Sequence, residues 1–232
     1  MKKSLGKAGL FVVLVAGLVV RVGRAQAPID PSLPEAPISH HRGLFLFSGY
    51  GMVYDPNSAV PPLRTRQKFE LAFRRTVNVS TVIRAGFVSG FDEAASVGPD
   101  YGDGASAFGE LYGYNVASLA SNAFFTDAFL PTLFRQDPRY FRKGSGTVKS
   151  RIGWALRSEL VAYSDTGREM PNYSEVLGFG LSTALSDAYL PAQNVSFWKT
   201  MEGWGIKVGV DSGIRVYREF GAKVILKKLR GK

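Results

Sequence analysis

The chain has 232 residues, of which 21% are charged, and a formal net charge of +10. That length suits one domain with short additions at its ends. It has no cysteine, which excludes a disulfide framework and thiolate chemistry and leaves packing as the source of stability.

Lys2, Lys3 and Lys7 form a positive start, residues 8–20 are an uninterrupted apolar and glycine run, and a polar stretch ends in Ala25-Gln26-Ala27. This is the pattern of a signal peptide over residues 1–27, cut after Ala25 or after Ala27. An uncleaved anchor is the alternative, since Arg21 and Arg24 follow the apolar run and Pro28 fits poorly just after a cut. Without the five basic residues of that segment, the 29 basic residues fall to 24 against 19 acidic ones, a net charge of +5. Much of that excess lies in a basic tail, residues 223–232, where Lys223, Lys227, Lys228, Arg230 and Lys232 accompany Val224, Ile225, Leu226 and Leu229. Such a tail either meets anionic lipid head groups or frays into solvent. Export argues against nucleic acid as a partner.

Residues 28–63 are proline-rich and read as an extended leader with one short strand at 44–47. A helical bundle domain follows over residues 64–222. Its helices are expected at 66–94, at 105–134 with Pro131 kinking or ending the run, at 148–163, at 173–190 closed by Pro191, and at 197–220. Asp103 and Ser196 are placed to cap the second and fifth, and Asn172 with Glu175 has the spacing of a capping box. Connections are short and turn-rich, which favours antiparallel neighbours. Alternation of the strand kind is scarce, so the expected fold class is all-α: a glycine-rich bundle of about five helices.

Small residues recur every four positions. The second helix carries Ala105, Gly109, Gly113, Ala117 and Ser121; the fourth carries Gly178, Ser182 and Ser186 beside Gly180, Ala184 and Ala188; the fifth carries Gly205, Gly209 and Gly213; the first carries Gly86 and Gly90. Residues four apart share a face. A glycine inside a helix costs about 1 kcal/mol against alanine, so the strips predict close approach of helix backbones, small-xxx-small packing. The second helix, about 30 residues and near 45 Å long, holds only Glu110 and Asp127 as charges; the third is too short and too charged to cross a bilayer, and the fourth is marginal. The expectation is membrane association by some helices or faces, with a periplasmic bundle as the alternative.

No motif is specific for catalysis. His40 and His41, the only histidines, fall in the leader, which removes a histidine base or a His/Cys metal site from the helices. The glycines do not form a phosphate loop, and no cofactor or metal is expected. Carboxylate and arginine chemistry remains. Asp127, Asp187 and Asp211 stand alone on apolar helices, with Arg151, Arg157 and Arg215 as candidate partners, either lining a cavity or fixing helix register. Two polar loops, residues 136–146 and 165–173, add Asp137, Arg139, Tyr140 and Asp165. They are expected at opposite ends of the third helix, hence not in one site. Arg135, Arg139, Arg142 and Lys143 make the first loop basic enough to meet phosphate or a membrane surface.

The run Leu130-Pro131-Thr132-Leu133-Phe134-Arg135-Gln136-Asp137-Pro138-Arg139-Tyr140-Phe141, followed by Gly144-Ser145-Gly146, resembles the signature of a family of uncharacterised exported bacterial proteins. Asp165-x-Gly167, Pro171-Asn172-Tyr173-Ser174, Leu177-Gly178, Ser186-x-x-Tyr189-x-Pro191, Lys68-Phe69 and Tyr101-Gly102-x-Gly104 also fit it, so the resemblance covers residues 63–222. It implies an exported helical domain with no established activity. Members often carry histidine where this chain has Arg135. The functional expectation is therefore an exported, membrane-associated protein of the cell envelope with a structural or interaction role, whose partners are membrane lipid and a further protein. The alternatives are an envelope enzyme acting on lipid or cell-wall material through Asp and Arg side chains, and a small-ligand carrier.

Overall fold

The computed structural model describes residues 29, 53–54, 60–95, 99, 101–102, 104–190 and 195–230, excepting the side chains of 53–54, 80, 91, 94–95 and 222–230. The expected signal peptide, the strand at 44–47, the cap Asp103 and both histidines lie outside these residues. Six helices are formed among the described residues. They are α1 (Thr65–Thr76), α2 (Val79–Ala95), α3, α4 (Val148–Arg157), α5 (Tyr173–Asp187) and α6 (Phe197–Arg230). Helix α3 is a continuous run of Ala105–Ala123, a π-helical stretch Phe124–Phe129 and a closing turn Leu130–Leu133.

The predicted first helix is two helices. The chain breaks at Val77 and Asn78, and the Asn78 carbonyl accepts from Thr81 and Val82 to open α2. Asparagine competes for backbone bonds and favours such starts. Pro131 does not end α3: it sits in the first turn after the π stretch, where a missing N–H is tolerated, and the helix closes two residues later. The caps at α5 and α6 are as read from the sequence. Asn172 Oδ1 accepts from Glu175 N at 3.2 Å, and Ser196 Oγ accepts from Lys199 N at 3.3 Å.

The all-α expectation needs correction, because the two polar loops build a sheet. Strand β2 (Gln136–Asp137) pairs antiparallel with β4 (Val161–Ser164), and β4 pairs antiparallel with β5 (Glu169–Pro171). Helix α4 therefore stops at Arg157 instead of running to residue 163. After a turn at residues 158–160 the chain comes back as β4, with Tyr163 opposite Asp137 and Ser164 opposite Gln136. This return brings together two loops that a longer helix would have separated. Gly167, at φ 79°, makes the β4–β5 turn possible. Part of the leader joins the domain: β1 (Val53–Tyr54) lies parallel to β3 (Tyr140–Phe141), and Ile29 and Val60 pack with Phe141 and Tyr163.

One small-residue strip packs as expected and the others do not. On α5, Gly178, Ser182 and Ser186 face Thr126, Asn122 and Ser118 of α3, running in opposite directions at the same spacing of four. Ser182 Oγ donates to Asn122 Oδ1 and Ser186 Oγ to Ser118 Oγ, each at 3.1 Å. A Cβ on Gly178 would lie 2.7 Å from Thr126 Cγ2 and 3.3 Å from its backbone, so here the helices do touch through a missing side chain. In contrast, Gly90, Gly109, Gly113 and Gly213 have nothing within 4 Å of a Cβ position and face open space. On α6 the reason is visible in the sequence. Residues 205, 209 and 213 lie two positions from Lys207, Asp211 and Arg215, which is about 200° around the helix. The charged stripe turns inward, so the glycines turn out.

Gly178→Val should therefore cost roughly 1–3 kcal/mol through overpacking, while Gly113→Ala should gain on the order of 1 kcal/mol from helix propensity alone. Urea denaturation of the two variants checks the pair; equal effects would contradict the α3–α5 packing.

Candidate functional site

Along α6, Lys207, Asp211, Arg215 and Glu219 recur every four residues and point into the protein, alternating in sign. Arg215 is their hub. Its Nε donates to Asp211 Oδ2 at 2.6 Å, and its Nη2 lies 2.5 Å from Glu175 Oε2, which comes from the first turn of α5. The same Nε is 3.1 Å from Glu159 Oε1 in the turn after α4. It is aimed at Asp211, so Glu159 gains proximity to the charge without a directed hydrogen bond. Nη1 donates to the Ser158 carbonyl at 3.3 Å. One guanidinium thus joins α6, α5 and the end of α4.

The network continues. Asp127, in the π stretch of α3, is buried and ion-paired with Arg75 of α1. Arg218 lies close enough to feel Asp211, Asp127, Arg75 and Arg215. Three guanidiniums therefore face four carboxyls, those of Asp127, Glu159, Glu175 and Asp211. Burial pushes Glu159 well above the ordinary carboxylate range, and Arg215 offsets only part of this. Glu175 and Asp127 are also raised by burial, against the pull of Arg215 and Arg75 respectively. Burial acts on Asp211 as well, but Arg215, Arg218 and Arg75 together outweigh it and hold Asp211 below its usual value. The surplus carboxyl is accordingly Glu159, kept neutral by a proton. Carboxylate oxygens of Glu159, Glu175 and Asp211 come within 4.8 Å of one another, the spacing of a metal-ligand set, but Arg215 already supplies the positive charge among them.

Glu219 makes a second buried anchor one turn further along. Its carboxylate accepts from Lys143 N, Gly144 N and Tyr140 Oη, all at 2.9 Å, and from Arg151 Nε at 2.8 Å. Burial and the neighbouring Glu219 charge push the Tyr140 hydroxyl far up, so it stays a donor. Other residues of the signature run are likewise committed to tying loops together. Gln136 Oε1 accepts from Ser174 N at 2.8 Å, and its Nε2 donates to the Pro171 carbonyl at 2.6 Å. Asp137 holds Arg139 through Nε at 2.8 Å, and Arg139 Nη2 donates to the Pro61 carbonyl at 2.7 Å. Arg135 takes the left-handed φ of 53°, and its carbonyl accepts from Asp165 N. Lys68 is buried; its Nζ reaches both oxygens of Asp165 at 2.8 Å and the Pro131 carbonyl at 3.1 Å.

Of the residues singled out from sequence, Asp211 and Arg215 share a cluster and Asp127 joins it through charge. Asp137, Arg139, Tyr140, Arg151 and Asp165 belong to the loop-tying set. Asp187 stands apart and accepts from Thr200 Oγ1 at the start of α6. Sequence reasoning missed Lys68, Glu159, Glu175 and Glu219. For Glu219 the signal was present, as the next step of the Asp211–Arg215 spacing. Glu175 was read only as a capping residue, and its second role, at Arg215, is long-range.

A cavity of about 230 Å³ opens between α2, α3 and α6. Ala85, Val88, Leu119, Ile206, Val210 and Ile214 give it apolar walls, and Arg75, Arg84, Lys207 and Asp211 give it charge. Lys207 donates to Ser182 Oγ at 3.1 Å. Burial lowers its ammonium to about 8, although Asp187 pulls the other way. A second, smaller cavity of about 30 Å³ lies among Gln136, Tyr140, Tyr163 and Arg215, with room for one water molecule. Asp211 borders the larger space and Asp137 the smaller.

Arg215→Met should cost about 3–5 kcal/mol, because it strands three buried carboxyls. The two directions of pKa shift give opposite pH signatures. Between the ordinary glutamate value and the raised folded value of Glu159, the folded chain holds a proton that the unfolded chain has lost, so stability falls as pH rises through that window. Glu159→Gln removes this loss, and its thermal midpoint relative to the parent should rise from pH 5 to pH 8. Asp211 contributes above the ordinary aspartate value and loses its contribution as pH falls through its lowered value. The cost of Asp211→Asn should therefore shrink toward pH 3. Parallel pH profiles for parent and variants would contradict the assignment.

Comparison of the chain with protein-family models, with curated proteins and with solved structures finds no match.

Proposed function

We propose that the chain is an exported protein that lies against a membrane through the outer faces of its helices and has a structural or interaction role there. What supports this reading is an inverted distribution of polarity. Among the described residues, 21 polar or charged residues are buried against 17 hydrophobic ones, while 25 large hydrophobic side chains are exposed. Single exposed hydrophobics are ordinary, but buried charge together with continuous apolar faces is informative.

The exposed residues form faces. Tyr173, Leu177, Leu181, Leu185 and Tyr189 make an outward stripe every four residues along and just beyond α5, with a tyrosine at each end. Val79, Ile83 and Phe87 do the same on α2. Phe69, Phe73, Phe124 and Phe129 add an aromatic patch where α1 meets α3, with the Phe124 and Phe129 rings stacked at 5.8 Å. Lipid is the medium that favours such faces, and tyrosine at stripe ends suits the head-group boundary. No helix among the described residues is long and apolar enough to cross a membrane. The protein is therefore read as seated on the bilayer by its flanks. The enzyme alternative needs two acidic groups facing one open pocket, whereas Asp127 and Asp211 are sealed against arginines.

Washing membranes of the expressing cell with alkaline carbonate should leave the chain in the pellet. Leu181→Glu should weaken flotation of the purified chain with anionic vesicles by roughly tenfold, given about 1.5–3 kcal/mol per leucine buried. Release into the carbonate supernatant, or a parent chain that fails to float, would sink the reading.

A further inference from the structure

We infer that the cavity between α2, α3 and α6 binds an anionic amphiphile, with the acidic head at Lys207 and the hydrocarbon chain along Ile206, Val210 and Val88. The inference does not depend on the membrane reading.

Three observations carry it. First, the cavity is amphipathic in the right proportion: apolar walls from three helices and a cationic set made by Arg75, Arg84 and Lys207 against one acid, Asp211, which Arg215 already holds. Second, Lys207 is fixed in place. Its Nζ bonds Ser182 Oγ, which itself donates to Asn122 Oδ1, so the ammonium is braced by α5 and α3 beside the cavity. Burial has weakened its hold on the proton, and an anion arriving there would restore it. Third, the volume is small and the rim is greasy. At about 230 Å³ the space is below the roughly 300–1,000 Å³ that encloses a whole drug-sized ligand. It takes a head group and the first part of a chain. Ile206 and Val210 are more than half exposed at the rim, which leaves the remainder of a long chain an apolar track to follow. A short acid would lack that track, and a neutral lipid would leave the cations without a partner. A fatty acid and a phosphate-headed single-chain lipid share the required chemistry.

The test uses the full chain, purified without vesicles, and a stearate carrying a fluorescent anthroyloxy group. Saturable binding is expected, with oleate displacing the probe better than oleyl alcohol by on the order of tenfold, as a charge-assisted contact implies. Lysophosphatidate should compete where oleate does, or better if phosphate is the natural head. Lys207→Met should abolish the preference for acid over alcohol, Lys207→Arg should keep it, and Val88→Trp, at the half-exposed rim, should weaken both. Absence of saturable probe binding by the parent chain, or an undiminished acid preference in Lys207→Met, would overturn the inference. A chain that binds the probe yet washes off membranes defeats only the membrane reading; one that stays on membranes yet ignores the probe defeats only this inference.

Discussion

Arg215 is reached by carboxylates from three separate stretches of chain: its own helix, the start of α5 and the turn that ends α4. A buried guanidinium cannot tolerate the loss of these partners, and they cannot tolerate its loss, because each would be a desolvated charge without an opposite. Such a junction adds little net stability compared with apolar packing of the same volume. What it does is exclude alternatives: only one rotation and one axial position of α6 bring Asp211, Arg215 and Glu219 to their partners together. The outward apolar faces follow from this. With charge occupying the inner stripe of α6 and hydroxyl and amide groups occupying the seam between α3 and α5, the large hydrophobic side chains of several helices have no interior left to fill.

The loops complete the same design. Glu219 gathers two backbone N–H groups, a tyrosine hydroxyl and Arg151, which fastens the turn after β3 to α6. Gln136 and Asp165 fasten β2 and the β4–β5 turn to α5, to α1 and to the end of α3. The polar run that stands out in the sequence is thus a set of mutual ties. Its aspartates and arginines are engaged with one another and with carbonyls, while the one roomy space in the fold, beside Lys207, lies away from that run.

Helix positions were legible wherever a cap or a proline marked them: Asn172 and Ser196 each stand where α5 and α6 begin. The break at Asn78 was missed because Val77-Asn78 interrupts no hydrophobic period. The sheet was missed because strands of two to four residues are too short to display alternation, and their pairing is set by partners far away in sequence. Asp211 and Arg215 were legible as charges on an otherwise apolar helix. Glu159 was not, since a glutamate near a helix end reads as solvated until the packing around it is known. Glycine spacing was a partial guide: it identified the α5 strip, where Gly178 meets Thr126, and misled on α6, where the charged stripe two residues away had the stronger claim to the interior.

The π stretch in α3 carries one surplus residue, and this allows Thr126, Asp127 and Ala128 to be buried in succession. Upstream, Ser118 and Asn122 keep the seam with α5; downstream, Asp127 turns to Arg75. The two halves of α3 therefore hold different rotational settings, and the length of the segment between them is constrained as tightly as its chemistry. Loss of a single codon here would restore a regular helix and swing everything beyond it by about 100°, separating both charges of the Arg75 pair. Point changes in this segment can be absorbed one side chain at a time, whereas insertions and deletions cannot, so variation in length belongs to the turns between helices.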